Sequence, residues 1–121
     1  MVRSGSIALL WFPFGPNESA PFKKRPVLVV HKSGTGAEQC VVCVMITGSE
    51  QRIANLQVTD LLVPDWDHAG LAKESAVRTN RFWGAEASHV ERVLGQAPPD
   101  FTAKVRAMVG KAIGIQESPA G

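Results

Sequence analysis

Apolar residues follow two patterns along this chain. Through most of its length they come in short runs cut by glycine, proline and polar clusters, and near the C-terminus they recur every three or four residues. The runs predict β-strands, and the spaced pattern predicts a helix. SIALLWF (6–12) is the first predicted strand, ended by the proline of FPF and by Gly15-Pro16. RPVLVVH (25–31) is the second, with Pro26 at its start, where a missing N–H is tolerated. The glycine-containing turn KSGTGAEQ (32–39) leads into CVVCVMIT (40–47). These two strands are almost continuously apolar, so both of their faces are expected to be covered.

LQVTDLLV (56–63) predicts a fourth strand, closed by Pro64-Asp65, and DWDHAGLAKE (65–74) a loop. SAVRTNRFW (75–83) reads as a further strand, followed by a helical turn near 85–89 and a short strand ending at VLGQ. Asp100, after Pro98-Pro99, is the predicted cap of a helix whose apolar stripe is Phe101, Val105, Met108, Ala112 and Ile115; Lys104 and Lys111 fall off that stripe. Five or six strands and one late helix predict a mainly β fold with helices (α+β), built as a small, strongly bent antiparallel sheet or partial barrel. One domain over 1–116 and a frayed tail over 117–121 complete the expectation.

Composition narrows the class without naming a function. A chain of 121 residues, 45% hydrophobic and 20% charged, is an ordinary globular domain, and a net charge of +2 does not by itself argue for a nucleic-acid partner. No apolar run reaches the ~18 residues of a membrane span. Prolines break the N-terminal apolar stretch, and no small-residue cleavage site follows it, so residence in the cytoplasm is expected. Cys40 and Cys43 form C-V-V-C on a predicted strand, where residues three apart point to opposite faces. With no second pair and no nearby histidine they read as two small core residues, not as a metal or redox site. His31, His68 and His89 read as surface or satisfied polar residues, and the run Asp60, Asp65, Asp67 lacks further oxygen ligands to hold a metal.

The stretch PFKKRPVLVV (21–30) carries the chemistry. If the turn between the second and third strands centres near Thr35 and Gly36, Arg25 falls opposite Ile46 or Thr47. Direct pairing with Thr47 would bring a guanidinium and a hydroxyl to the open end of one hairpin, with Cβ atoms roughly 5 Å apart. A slip of one residue would put them on opposite faces. A guanidinium is a permanent cation with a planar donor fork suited to phosphate. Gly48 and Ser49 follow Thr47, Arg78 and Arg81 could extend a positive surface, and the loop 15–22 could close over it. Trp11, Phe14, Phe82 and Trp83 are candidate stacking surfaces, with Trp11 favoured as core. Lys23 and Lys24 read as solvated cations at the edge of the strand.

GSIALLWFPFG, KKRPVLVV, VMITGS, GLAKESAVRTNRF and VLGQ, in this order and spacing over 5–115, resemble the PemK/MazF toxins, the ribonuclease halves of bacterial toxin–antitoxin pairs. The resemblance implies a small SH3-like barrel with a C-terminal helix, acting as a homodimer that cuts single-stranded RNA, usually mRNA, without a metal or other cofactor. It also implies an antitoxin partner whose extended segment blocks the same groove. The family's catalytic arginine before the proline of R-P falls on Arg25, and its catalytic Thr or Ser at the end of the third strand falls on Thr47. RNA contacts are then expected from Phe14, Lys23, Lys24, Ser49, Arg78 and Arg81, and Glu18 is a candidate proton acceptor. Two positions depart from the family pattern: Ser6 replaces its usual Asp, and Trp11 stands where a smaller or acidic residue is common. The alternatives are a CcdB-type toxin that binds DNA gyrase without cleaving RNA, and a relative that binds RNA without cutting it.

Overall fold

The hairpin of β2 (Phe22–Ser33) and β3 (Cys40–Thr47) is the centre of the molecule. The computed structural model describes residues 2–13 and 22–115, without the side chains of 12, 13, 22 and 23. β1 (Ser6–Pro13) flanks β2, and β5 (Ala76–Glu86) flanks β3. The short β4 (Asp60–Leu62) and β6 (Val90–Gln96) form the two edges. All pairings are antiparallel, in the order β4-β5-β3-β2-β1-β6. The predicted mainly β fold with a late helix is therefore what forms, as one bent six-stranded sheet that is not closed by strand pairing.

The bend lets the sheet bury both faces. On one face Ile7, Leu28, Val44, Ile46 and Val77 pack with Val105 and Val109 of α2 (Pro99–Ala112). On the other, Ala8, Leu10, Val27, Val29, Val41 and Cys43 form a second cluster, against which Trp83 and Val90 pack. Covering both faces explains why β2 and β3 lack the alternation of a half-exposed strand. The edges meet indirectly. Loop 64–71 folds onto β6 so closely that a Cβ at Gly70 would overlap the Leu94 carbonyl oxygen, and one at Gly95 would overlap that of Ala69.

Several expectations need correction. The fourth strand is three residues long, and the residues before it form a short helix, α1 (Glu50–Ala54), capped by Ser49. α2 begins at Pro99 with Pro98 as its cap position, so Asp100 lies inside the first turn. Its buried residues are Thr102, Val105 and Val109, while Ile115 is exposed. The polar Thr102 can be buried because its hydroxyl donates to the Pro98 carbonyl of its own helix (3.1 Å). Trp11 is not core: it is about half exposed (48%), with the Lys24 ammonium over its ring. Phe82 and Trp83 are partly buried, packed against the two clusters. His31, His68 and His89 are exposed.

The cysteines divide. Cys43 is buried in the second cluster, but Cys40 is exposed at the first position of β3. Burial pushes the Cys43 thiol up to about 12, which leaves almost no thiolate at pH 8. In native protein at pH 8, a thiol reagent is expected to modify Cys40 quickly and Cys43 only after denaturation. Mass analysis of labelled peptides checks this.

Candidate functional site

β-pairing fixes which residues share the face at the open end of the hairpin. Val27 pairs with Met45, Leu28 with Val44 and Val29 with Cys43, so each pair of numbers adds up to 72. Carried two residues outward, this register sets Arg25 across from Thr47, the second of the two registers left open by the sequence. A bulge between Val29 and His31 shifts the pairing by one nearer the turn, beyond the stretch that aligns these two residues. Thr47 in turn pairs with Ala76 of β5. One row along the same face, Met45 pairs with Arg78, and Arg78 with Asp60 on the edge strand. Alternation along the strands therefore puts Arg25, Thr47 and Arg78 on one face.

An open cleft of about 440 Å³ lies beside them, lined by Thr47, Ser49 and Arg78 and by Gln51, Arg52, Asn55 and Gln57 of the segment that follows β3. The Thr47 hydroxyl oxygen accepts from the Ser49 backbone N–H (3.2 Å), and the Ser49 hydroxyl accepts from that of Arg52 (3.4 Å). The Asp60 carboxylate, with its side chain fully buried (0%), organises the floor. It accepts from Arg52 Nε (3.0 Å) and from the Gln57 backbone N–H (2.8 Å). Asp60 is thus committed to the segment 52–57 even though its strand partner is Arg78, whose buried Nε makes no hydrogen bond.

The electrostatics follow. Burial holds the Arg78 guanidinium below its ordinary range; the like charges of Arg52 and Arg81 push the same way, and Asp60 opposes them. An anion in the cleft would relieve that repulsion, so the arrangement suits phosphate.

The sequence-derived candidates separate accordingly. Arg25, Thr47, Ser49 and Arg78 lie at one end of the sheet. Arg81 is exposed in the irregular segment 79–81 that interrupts the β3–β5 register. Lys24 is not brought to this face: it points opposite to Arg25, and its ammonium bonds Glu91 (2.7 Å) and covers Trp11. Lys23 pairs with Phe12 across β1–β2, but its side chain, like Phe14, Glu18 and the rest of 14–21, lies outside the described residues. Ser6 is a structural residue here, buried and accepting from the Arg3 backbone N–H (2.9 Å). The sequence reading missed Arg52 and the carboxamides of 51–57. The cap signal of Ser49 followed by Glu50 could have found the helix that carries them. No group of three or more His, Cys, Asp or Glu among the described residues is arranged to hold a metal.

Solved structures with this fold include a MazE–MazF complex from Deinococcus radiodurans (TM-score 0.70, 21% identity, covering 95% of this chain and 97% of that one). An endoribonuclease in complex with its cognate antitoxin from a mycobacterial species is also similar (TM-score 0.66, 16% identity, 98% and 100% covered). So is an endoribonuclease from a mycobacterial species (TM-score 0.64, 16% identity, 97% and 95% covered). No curated protein matches the chain. Residues 3–113 match one family across nearly the whole sequence: the chain belongs to the PemK-like, MazF-like toxins of type II toxin–antitoxin systems.

Proposed function

We propose that this protein is an endoribonuclease toxin that cleaves single-stranded RNA at the open end of the β2–β3 hairpin. The observation that carries the reading is the β2–β3 register, which, extended two residues past its last pair of Val27 with Met45, sets Arg25 across from Thr47 on the face that also bears Arg78. Endoribonuclease activity in two relatives of the same fold supports it.

In this reading the substrate's own 2′-hydroxyl gives up its proton to solvent and attacks the adjacent phosphorus, and the bond to the 5′ oxygen breaks as that oxygen takes up a proton. The products are a 2′,3′-cyclic phosphate and a 5′-hydroxyl end. Charge builds on the phosphoryl oxygens as the phosphorane forms. A planar guanidinium at Arg25 stabilises that charge, and the Thr47 hydroxyl holds a phosphate oxygen. Arg78 lowers the cost of bringing a polyanion into the cleft. Arg25 and Arg78 supply the positive charge on this face, while that of Arg52 is paired with Asp60.

The partner of the family's toxins is an antitoxin, and two of the similar structures contain one. A homodimer and a cognate antitoxin that competes with RNA for this face complete the proposal. The test is incubation of purified protein with a long single-stranded RNA in EDTA, followed by analysis of the new ends. Cyclic-phosphate and 5′-hydroxyl ends are expected. Activity only on adding a divalent metal, or 5′-phosphate ends, would refute the reading.

A further inference from the structure

Gly48, the residue after Thr47, is covered by a side chain from the loop before β5. A Cβ added at Gly48 would fall 2.7 Å from Cε of Lys73, 3.4 Å from its Cγ and 3.6 Å from its Cδ. The aliphatic stem of the lysine therefore lies along the glycine. One more carbon–nitrogen bond, about 1.5 Å, keeps Nζ within about 4 Å of the same point in any final rotamer. The backbone beneath is anchored. The buried Ser75 hydroxyl donates to the Lys73 carbonyl (2.9 Å), and the Ser75 carbonyl accepts from the Val63 N–H (2.9 Å). Ala76, the next residue, is the strand partner of Thr47. Lys73 itself is exposed, and among the described residues its ammonium has neither a hydrogen bond nor an ion pair. A cation seated by its stem and open at its head suits an anion from outside.

We propose that Lys73 binds the phosphate next to the scissile one, where the RNA strand crosses the end of β3. The proposal rests on the ribonuclease reading above and adds a contact that holds substrate without touching the reacting atoms. Arg25, Thr47 and Arg78 stand on one face of the sheet. Lys73 comes from the loop on the other side, whose Ala69 and Leu71 pack in the cluster that includes Val105 of α2. Consecutive Cα atoms are about 3.8 Å apart, so Nζ lies within roughly 10 Å of Thr47 Cα. That is a step of one nucleotide along a strand whose scissile phosphate rests at Thr47. An ammonium is a point charge that positions a backbone and reads no base, so Lys73 sets affinity and leaves sequence preference to other residues.

The test measures binding of an uncleavable, fluorescent 2′-O-methyl RNA of mixed sequence over a series of salt concentrations. Single-turnover cleavage of the matching RNA in EDTA, taken to saturating protein, runs beside it. Lys73→Ala is expected to weaken binding about fivefold near ~0.1 M salt and to lower the slope of log affinity against log salt by about 0.7, one phosphate's share on a single strand. Its saturating cleavage rate should stay within about twofold of wild type, because the contact is lost equally from bound substrate and transition state. Lys73→Arg keeps the charge and should restore affinity and slope to within about twofold of wild type. Lys111→Ala removes an equal charge beside His31 and Val42, near the turn of the hairpin, and should change affinity by less than about twofold. Lys73 and Lys111 are exposed, so these variants should fold. An unchanged slope in Lys73→Ala, an equal loss in Lys111→Ala, or a fall in saturating rate with affinity intact overturns the proposal. A protein that binds with the expected slopes yet cuts no RNA would refute the ribonuclease reading and leave the Lys73 contact in place.

Discussion

Replacing Arg25 with alanine is expected to slow RNA cleavage by about a thousandfold while leaving the fold intact. Removing one preorganised donor to a developing charge costs ~10²–10³ in rate, and an arginine facing a phosphoryl group reaches the upper part of that range. Arg25 lies two residues beyond the last β2–β3 pair, with its side chain only partly buried, so the stability change should stay within about 1 kcal/mol. Arg25→Lys separates charge from shape. It keeps the cation but loses the planar fork that binds two phosphate oxygens at once, so it should recover no more than about a tenth of wild-type activity. Single-turnover cleavage of a defined RNA, with melting curves of each variant, checks both.

The second large effect is structural. Gly70→Ala is expected to lower stability by about 3–5 kcal/mol, from two sources acting together. Gly70 has φ of +92°, in the left-handed region, and its added Cβ would overlap the Leu94 carbonyl oxygen of β6. Backbone on both sides leaves no flexible side chain to give way. Because loop 64–71 is what joins the β4 side of the sheet to β6, the damage should spread to the core residues Val63, Ala69 and Leu71. Gly84→Ala is the control: its φ is not positive and a Cβ there would meet nothing within 4 Å, so a change within about 0.5 kcal/mol is expected. Urea denaturation at matched concentration distinguishes them.

The two outcomes correspond to what could and could not be read from the residues. The β2–β3 hairpin was legible because two apolar runs, a proline at the start of one and a glycine-rich turn between them restrict the register to two choices. β3 forms over the expected residues, 40–47, for the same reason. The short strand and the turn before it were not legible, because LQVTDLLV (56–63) has the composition of a longer strand. What prevents a longer strand is the buried Asp60, which folds the preceding residues back to reach Arg52 and Gln57. That is a long-range polar demand with no local pattern. α2 was placed correctly but rotated in expectation, because an apolar stripe was sought and Thr102 was buried instead with its hydroxyl satisfied internally. Lys24 could not be separated from Arg25 by charge; only the alternation of β2 sends it to Glu91 and Trp11.

The central claim is that Arg25 and Thr47 act as one unit on the same phosphate. The most direct measurement is a double-mutant cycle on the single-turnover cleavage rate, comparing wild type, Arg25→Ala, Thr47→Ala and the double variant. The account predicts strong non-additivity, with the double variant only slightly slower than Arg25→Ala alone. Independent effects that multiply, or a Thr47→Ala variant that cleaves at the wild-type rate, would contradict it.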